Sequence, residues 1–104
     1  MATLLFVSQS CTKNYTVSVY GVVTDSETKK PLEGALVTCE NKFMETGADG
    51  YYELNDITAI PLPFEGKKVE LLVVASSYGY HEKGVTLTIS SDVKKEVNFE
   101  LKKW

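Results

Sequence analysis

Apolar and polar residues alternate with a period of two along most of the chain, which is the pattern of half-buried β-strands. In the segment 15–24, small and apolar residues occupy every second position, namely Val17, Val19, Gly21 and Val23. The segment 69–76 is apolar on both faces, which is typical of a strand in the middle of its sheet. No long window has the period of about 3.6 residues that marks an amphipathic helix, so we expect almost no helix.

Turn-forming residues divide these strands at short, regular intervals. The polar loop 25–31 ends in Pro31, and Asp49-Gly50 lies between two strand-like segments, as in a hairpin. The remaining strands are predicted at 34–40, 42–46, 51–54, 85–89 and 94–102. In the last of them Asn98 is interpreted as a solvent-facing residue, and the residues expected in the core are Val97, Phe99 and Leu101. About seven short strands with regular turns predict an antiparallel β-sandwich.

The size and charge of the chain narrow the range of functions that it can have. With 104 residues it is expected to form one domain, and its net charge of −3 comes from 14 acidic residues and 11 lysines. The chain has no arginine, the residue best suited to read phosphate and guanine, and its lysine pairs lie far apart in the sequence. We therefore expect no binding of nucleic acid. No run approaches the ~18 apolar residues that a membrane-spanning helix needs.

Three sequence blocks give more specific information. They read G-V-V-T-D at 21–25, P-L-E-G-A-L-V at 31–37 and T-G-A-D-G-Y-Y-E-L at 46–54, and the turn S-Y-G-Y follows at 77–80. In order and spacing, over residues 17–101, they resemble the carboxypeptidase regulatory-domain-like family, which is also found N-terminal to TonB-linked outer-membrane receptors. The resemblance implies a seven-stranded, antiparallel Greek-key β-sandwich of the transthyretin (prealbumin) type. It also implies a module that accompanies an activity without carrying one.

The chain departs from the usual pattern of this family at two places. Lys67 stands where an aromatic residue is common, and the segment 57–65 is longer and more apolar than the usual connection. This segment carries Ile60, Leu62 and Phe64 beside two prolines, which favour a stiff, extended loop. Two roles stay open for these side chains. They plug the open end of the core, or they form a loop that binds a partner.

The residues with chemical potential do not form a recognisable site. His81 is the only histidine, whereas a zinc site of the peptidase type needs a pair of histidines and a carboxylate. Cys39 alternates with small, core-like residues, so we expect a buried and inert thiol. Asp25, Asp49 and Asp56 lack the D-x-D-x-D-G spacing of a calcium loop. We therefore expect no catalytic residue, no metal and no cofactor.

The N-terminal residues suggest a lipid anchor. The run Leu4-Leu5-Phe6-Val7, followed by Ser8-Gln9-Ser10-Cys11, is similar to the end of a lipoprotein signal peptide, in which the cysteine is acylated after cleavage. Residues 1–14 are then a remnant signal and tether, and residues 15–104 are the β-sandwich domain. This interpretation places the domain in the bacterial cell envelope, on the periplasmic side of the outer membrane or at the surface, touching the membrane only through the lipid. The alternative is a short apolar tail.

Exposed aromatic residues are a further candidate binding feature. Tyr51 and Tyr52 fall on opposite faces of one strand and Tyr78 lies in a turn, and we take Tyr52 and Tyr78 as the candidates for exposure. The leading hypothesis is a small, non-catalytic envelope lipoprotein with a structural or protein-binding role. The alternative is a carbohydrate-binding module that stacks sugars on these aromatics. The expected partner is accordingly an envelope protein or a polysaccharide.

Overall fold

The computed structural model of the chain describes residues 14–61 and 68–104, which form eight β-strands in two facing sheets. In chain order the strands are β1 (Tyr15–Asp25), β2 (Leu36–Cys39), β3 (Lys42–Glu45), β4 (Tyr51–Ala59), β5 (Val69–Ser76), β6 (Lys83–Ile89), β7 (Val93–Glu96) and β8 (Phe99–Leu101). None of the described residues belongs to a helix long and apolar enough to cross a membrane.

Each sheet contains four strands. The first has the order β4-β1-β7, with β8 also pairing with β1, and the second has the order β3-β2-β5-β6. The predicted all-β sandwich is confirmed, with eight strands in place of seven, because the last predicted strand is divided into β7 and β8. The second sheet is antiparallel throughout. In the first sheet β7 and β8 run parallel to β1, so this sheet is mixed.

A close approach at Gly21 accounts for the division between β7 and β8. An ideal Cβ built on Gly21 would overlap the carbonyl oxygen of Val97, so only glycine fits there. The N–H of Val97 donates to the Tyr20 carbonyl over 2.8 Å, and Oδ1 of Asn98 accepts the N–H of Val22 over 2.9 Å. Asn98 is exposed as predicted, but its interpretation as a merely solvent-facing residue is wrong. Its side chain replaces a backbone acceptor where the ladder to β1 is interrupted.

The core lies between the two sheets and is built from their inward-facing positions. The predicted core residues of β1 have no exposed surface, and the same is true of Phe99 and Leu101, while Val97 is nearly buried. The rings of Tyr52 and Phe99 pack with their centroids 6.3 Å apart and their planes at 47°. The largest fully buried side chains are Tyr52, Phe99, Ile57, Leu71, Ile89 and Leu101.

The strand directions place the connections at two opposite ends of the sandwich. Tyr15 pairs with Ala59, and β7 begins beside Val17, so the start of β1, the end of β4 and the β6–β7 turn share one end. We call this the N-terminal end. The β1–β2, β3–β4 and β5–β6 connections and residues 102–104 lie at the other end, which we call the tip.

Candidate functional site

Asp25, the last residue of the first sequence block, holds the tip together. Its Oδ1 accepts the N–H groups of Glu27 and Thr28 over 2.8 and 3.0 Å, and its Oδ2 accepts the Tyr80 hydroxyl over 2.8 Å. The Thr28 N–H, the Tyr80 hydroxyl and the Glu27 N–H together lower the pKa of Asp25 to about 2. Both oxygens of this carboxylate are engaged in fixing loops, which explains the aspartate without a metal.

The other two blocks also serve the fold. Oγ1 of Thr46 accepts the Ala35 N–H over 2.9 Å and donates to the Leu32 carbonyl, so it joins the loops that follow β1 and β3. Gly50 has a φ of +76°, and a Cβ there would lie 2.6 Å from a carbonyl oxygen of β1. Oδ1 of Asp49 accepts a backbone N–H two residues further on over 3.1 Å, as expected in a tight turn. The turn and loop residues of these blocks are therefore explained by the fold alone.

The candidate chemical residues do not come together. Cys39 is buried in β2 as predicted, and burial raises the pKa of its thiol to about 11, so the thiol is a poor nucleophile. Asp49 lies at the tip, while Asp56 is an exposed residue of β4 with a φ of +59°. Within residues 14–61 and 68–104, no three side chains of His, Cys, Asp or Glu are grouped as metal ligands would be.

The two tyrosines of β4 have the opposite roles to those predicted. Tyr52 is fully buried, its hydroxyl donates to the Val97 carbonyl, and burial raises its pKa. The choice of Tyr52 as an exposed aromatic is therefore wrong. Tyr51 is the exposed member of the pair. The packing of its ring against Phe99, and the Val97 carbonyl as an acceptor for its hydroxyl, explain how a tyrosine fits in the core.

The tip presents a cluster of aromatic side chains. Tyr78 is fully exposed as predicted, and it stands beside Gly79, whose φ is +87° and whose carbonyl accepts the Trp104 N–H over 3.0 Å. Trp104 is 79% exposed, and its ring lies against that of His81 with centroids 3.7 Å apart. We call Tyr78, His81 and Trp104 the aromatic tip. The pairing of His81 with Trp104 has no local sequence signal, because the two residues meet only through the strand-like contact of 79–81 with 102–104.

The outer face of the second sheet carries several exposed apolar side chains. Phe43 is 71% exposed and Leu72 is 54% exposed. The register Phe43–Thr38–Val74 places Phe43 on the same face of the sheet as Val74, and Leu72 is two residues from Val74 on that face of β5. Leu36, on the same face of β2, is also partly exposed. We call Leu36, Phe43, Leu72 and Val74 the apolar face. The sequence signal was present in the two-sided apolarity of β5, but it was interpreted only as a sign of a central strand.

The outer face of the first sheet has a different character. Lys94 Nζ lies 3.3 Å from Glu53 Oε2 and 5.1 Å from the centroid of the Tyr20 ring. The Tyr51 hydroxyl donates to Glu53 Oε1 over 3.3 Å. Polar groups therefore satisfy one another on this face, as is common for cross-strand neighbours on a solvent-facing sheet. The outer faces of the two sheets therefore differ, and the apolar face of the second sheet is the better candidate for a binding surface.

The remaining candidates are Ile60, Leu62, Phe64 and Cys11. Ile60 is 57% exposed, so this side chain does not plug the core. Leu62 and Phe64 lie outside the described residues, and so does Cys11. The plug role is therefore excluded for Ile60 alone, and the binding role stays a prediction.

The sequence blocks and the sandwich agree with a known family. The family described as CarboxypepD_reg-like domain matches residues 19–104 of the chain. The chain belongs to this family, which confirms the resemblance. No curated protein matches the chain.

Solved structures share the fold at low sequence identity. A 3-chlorocatechol 1,2-dioxygenase from Rhodococcus opacus 1CP has a TM-score of 0.61 and 13% identity, over 89% of this chain and 62% of that one. A protein from Bacteroides uniformis ATCC 8492 that has been proposed to bind carbohydrate has a TM-score of 0.56 and 12% identity, over 84% and 41%. The minor pilin GBS52 of Streptococcus agalactiae has a TM-score of 0.54 and 18% identity, over 89% and 46%. The chain spans less than two thirds of each of these proteins, and the likeness is one of fold.

Proposed function

We propose that this domain is a non-catalytic accessory module of the bacterial cell envelope that binds another protein through its apolar face. The observation that carries the proposal is the outer face of β5. Leu72 and Val74 are apolar there, although β5 needs apolar residues only on its inner face, where Leu71 and Val73 already enter the core. Several exposed apolar side chains on one open sheet face are costly in water and are typical of a protein-binding site.

The surroundings of the apolar face indicate the chemistry of its partner. The outward positions of the second sheet are Leu36, Thr38, Phe43, Glu45, Glu70, Leu72, Val74, Ser76, Gly84, Thr86 and Thr88. They include two carboxylates and no lysine. A partner that inserts apolar side chains and places basic residues around them is therefore complementary in both shape and charge.

Co-purification with paired substitutions tests the proposal. Phe43→Ser combined with Leu72→Ser removes the two most exposed apolar groups of the face, and Tyr51→Ser is a matched control on the other sheet. We expect the immobilised wild-type domain and the control to retain the same envelope protein, and the double variant to lose it at an unchanged melting temperature. Retention of that protein by a folded double variant would contradict the proposal.

A lipid on Cys11 is the proposed means of localisation. At most about 14 Å of extended chain separates Cys11 from Tyr15, so an acylated domain would hold its N-terminal end close to the bilayer. The tip would then point away from the membrane, and Ile60 would lie near the membrane. Lys13 is the one charged residue between Cys11 and Tyr15 and it is basic, which favours a periplasm-facing anchor. Mass spectrometry of the native protein should find the acyl adduct on Cys11. An unmodified Cys11 in membrane-free extract would contradict the proposed lipid anchor.

Carbohydrate binding is a second candidate, supported by the aromatic tip. Tyr78 lies in a turn, and the exposed Trp104 lies beside it in a segment that backbone hydrogen bonds hold to residues 79–81, so little order is lost when a sugar stacks on them. The fold shared with a protein proposed to bind carbohydrate is an analogy that supports this candidate. Affinity electrophoresis in envelope polysaccharides separates the two functions. A retardation lost in Trp104→Ala, and kept in Tyr51→Ala, would support carbohydrate binding; no retardation of the wild type would exclude it for those polysaccharides.

A further inference from the structure

Within residues 14–61 and 68–104 the two sheets have four edges, formed by β4, by β7 with β8, by β3 and by β6, and the first three have features that disfavour pairing with another chain. β3 and β7 have four residues each and β8 has three, and they carry charged residues. β4 is longer, but its register with β1 shifts, and Asp56 beside the shift has a φ of +59°. Short strands, charges and bulges of this kind make poor templates for a further strand.

β6 is the exception among these edges. It has seven residues in unbroken register with β5, contains no proline, and carries a single charge at its first residue, Lys83. Within residues 14–61 and 68–104, no strand other than β5 pairs with it. Half of its backbone N–H and C=O groups therefore point away from the sheet. Its inward side chains Val85 and Leu87 are only partly buried, although they pack against the core.

We propose that β6 pairs in antiparallel fashion with β6 of a second copy of this chain, about a two-fold axis at Thr86. Thr86 is the central residue of β6, so this register pairs the whole strand. It places Val85 opposite Leu87 of the partner subunit and Gly84 opposite Thr88 of the partner subunit. No charge meets a like charge, because Lys83 lies opposite Ile89 of the partner subunit. The open edge of β6 is therefore complementary to itself in backbone hydrogen bonding, apolar side chains and charge.

The position of Leu72 also fits this junction. An ideal Cβ on Gly84 would lie 3.2 Å from Leu72 Cδ1, so Leu72 leans over the glycine toward the open edge. In the proposed dimer the methyl group of Thr88 of the partner subunit lies next to Gly84 and Leu72. The second sheets of the two copies then form one eight-stranded sheet. Their apolar faces lie on the same side of it, which doubles the apolar surface available to a partner. The dimer does not depend on that partner and can be tested without it.

Sedimentation equilibrium of the full chain, between about 10 μM and about 1 mM, tests the pairing. We expect the mass to rise with concentration from 11.5 kDa toward twice that value. Thr86→Lys places two ammonium groups face to face at the axis and should weaken dimerisation more than about tenfold. Thr58→Lys, at an exposed position on β4, is the matched control and should dimerise like the wild type. A wild type that stays monomeric, or a Thr86→Lys variant that dimerises equally, would overturn the proposal.

Disulfide cross-linking gives a second measurement that does not depend on the tolerance of β6 for lysine. In a Cys11→Ser background the one natural thiol left is that of Cys39, which is buried. Thr86→Cys brings two sulfurs together at the axis, because directly opposed antiparallel residues have Cβ atoms about 4.5–5.5 Å apart. Mild oxidation should convert this variant to a covalent dimer and leave Thr58→Cys monomeric. Equal cross-linking of both variants, or of neither, would contradict the β6 dimer.

Discussion

The Tyr80 hydroxyl donates a hydrogen bond of 2.8 Å to Asp25 Oδ2, and this bond joins the loop after β5 to the end of β1. The two residues are 55 positions apart in sequence: Asp25 ends a strand of the first sheet, and Tyr80 lies in a connection between two strands of the second. Because the same carboxylate also holds the turn after β1, Asp25 links three pieces of chain at the tip. The aromatic tip is thus held on a charged hydrogen-bond network rather than on apolar packing alone.

Acid should weaken the fold through this network. The pKa of Asp25 is about 2 in the folded protein against an ordinary value of 3.8. Because the folded value is the lower one, ionised Asp25 stabilises the fold above pH 3.8, and this stabilisation is lost as the pH falls toward about 2. Tyr80→Phe removes one donor, so the pKa should move back toward 3.8 and the loss of stability over this range should be smaller. Urea unfolding from neutral pH down to about pH 2 measures this pH dependence of stability. Identical pH profiles for wild type and Tyr80→Phe would contradict the role of the Tyr80 hydroxyl in lowering the pKa of Asp25.

Phe99 should contribute heavily to stability. Its side chain is fully buried between the sheets, so Phe99→Ala should lower the free energy of unfolding by about 3–5 kcal/mol. Glu100→Ala is the matched control, because Glu100 is exposed and makes only a surface ion pair with Lys29, worth up to about 1 kcal/mol. Denaturant unfolding compares the two variants. Equal stability of Phe99→Ala and the wild type would mean that β8 is placed one residue out of register.

Gly21 and Gly34 should differ in their tolerance of alanine. A side chain at Gly21 would overlap the Val97 carbonyl oxygen, so Gly21→Ala should cost at least the upper part of the ~1–3 kcal/mol typical of overpacking. Gly34 has a φ of +78° but no atom within 4 Å of an added Cβ, so Gly34→Ala should cost only about 1–2 kcal/mol of backbone strain. Thermal unfolding of both variants measures the difference. A milder effect at Gly21 than at Gly34 would contradict the close approach of β7 and β8 to β1.

The thiol of Cys39 should be unreactive in the folded protein. Burial raises its pKa to about 11, and reagent access is blocked by the core. We expect iodoacetamide to label Cys39 only after unfolding, while peptide mapping distinguishes it from Cys11. Labelling of Cys39 in the native protein at neutral pH would show that β2 opens readily to solvent.

Much of the fold could be predicted from the sequence, because period-two alternation and turn residues are local signals. The buried positions of β1 and of Val97, Phe99 and Leu101 followed from alternation alone. Alternation also showed that Tyr51 and Tyr52 face opposite ways. It could not show which face is the core, because that depends on the acceptor that Val97 offers to the Tyr52 hydroxyl from a distant strand.

The features that were missed depend on contacts between distant parts of the chain. Asn98 has an ordinary strand sequence around it, and its bond to Val22 exists only because β7 and β8 pair in parallel with β1. His81 and Trp104 meet only because residues 102–104 run beside 79–81. For the apolar face, the two-sided apolarity of β5 was a usable signal. The signal corresponds to the exposed side chain of Leu72 on the outer face.

Site-specific photo-crosslinking in living cells tests protein binding through the apolar face most directly. A photoreactive phenylalanine analogue is placed at Phe43 or Leu72, and at Thr58 on the opposite sheet as the control position. We predict one and the same protein adduct from positions 43 and 72, and none of this adduct from position 58. A variant carrying Glu45→Lys and Glu70→Lys should lose the adduct as well, because the proposed partner is basic around its apolar contact. Irradiation that gives no adduct from positions 43 and 72, or the same adduct from all three positions, would contradict the proposed interface.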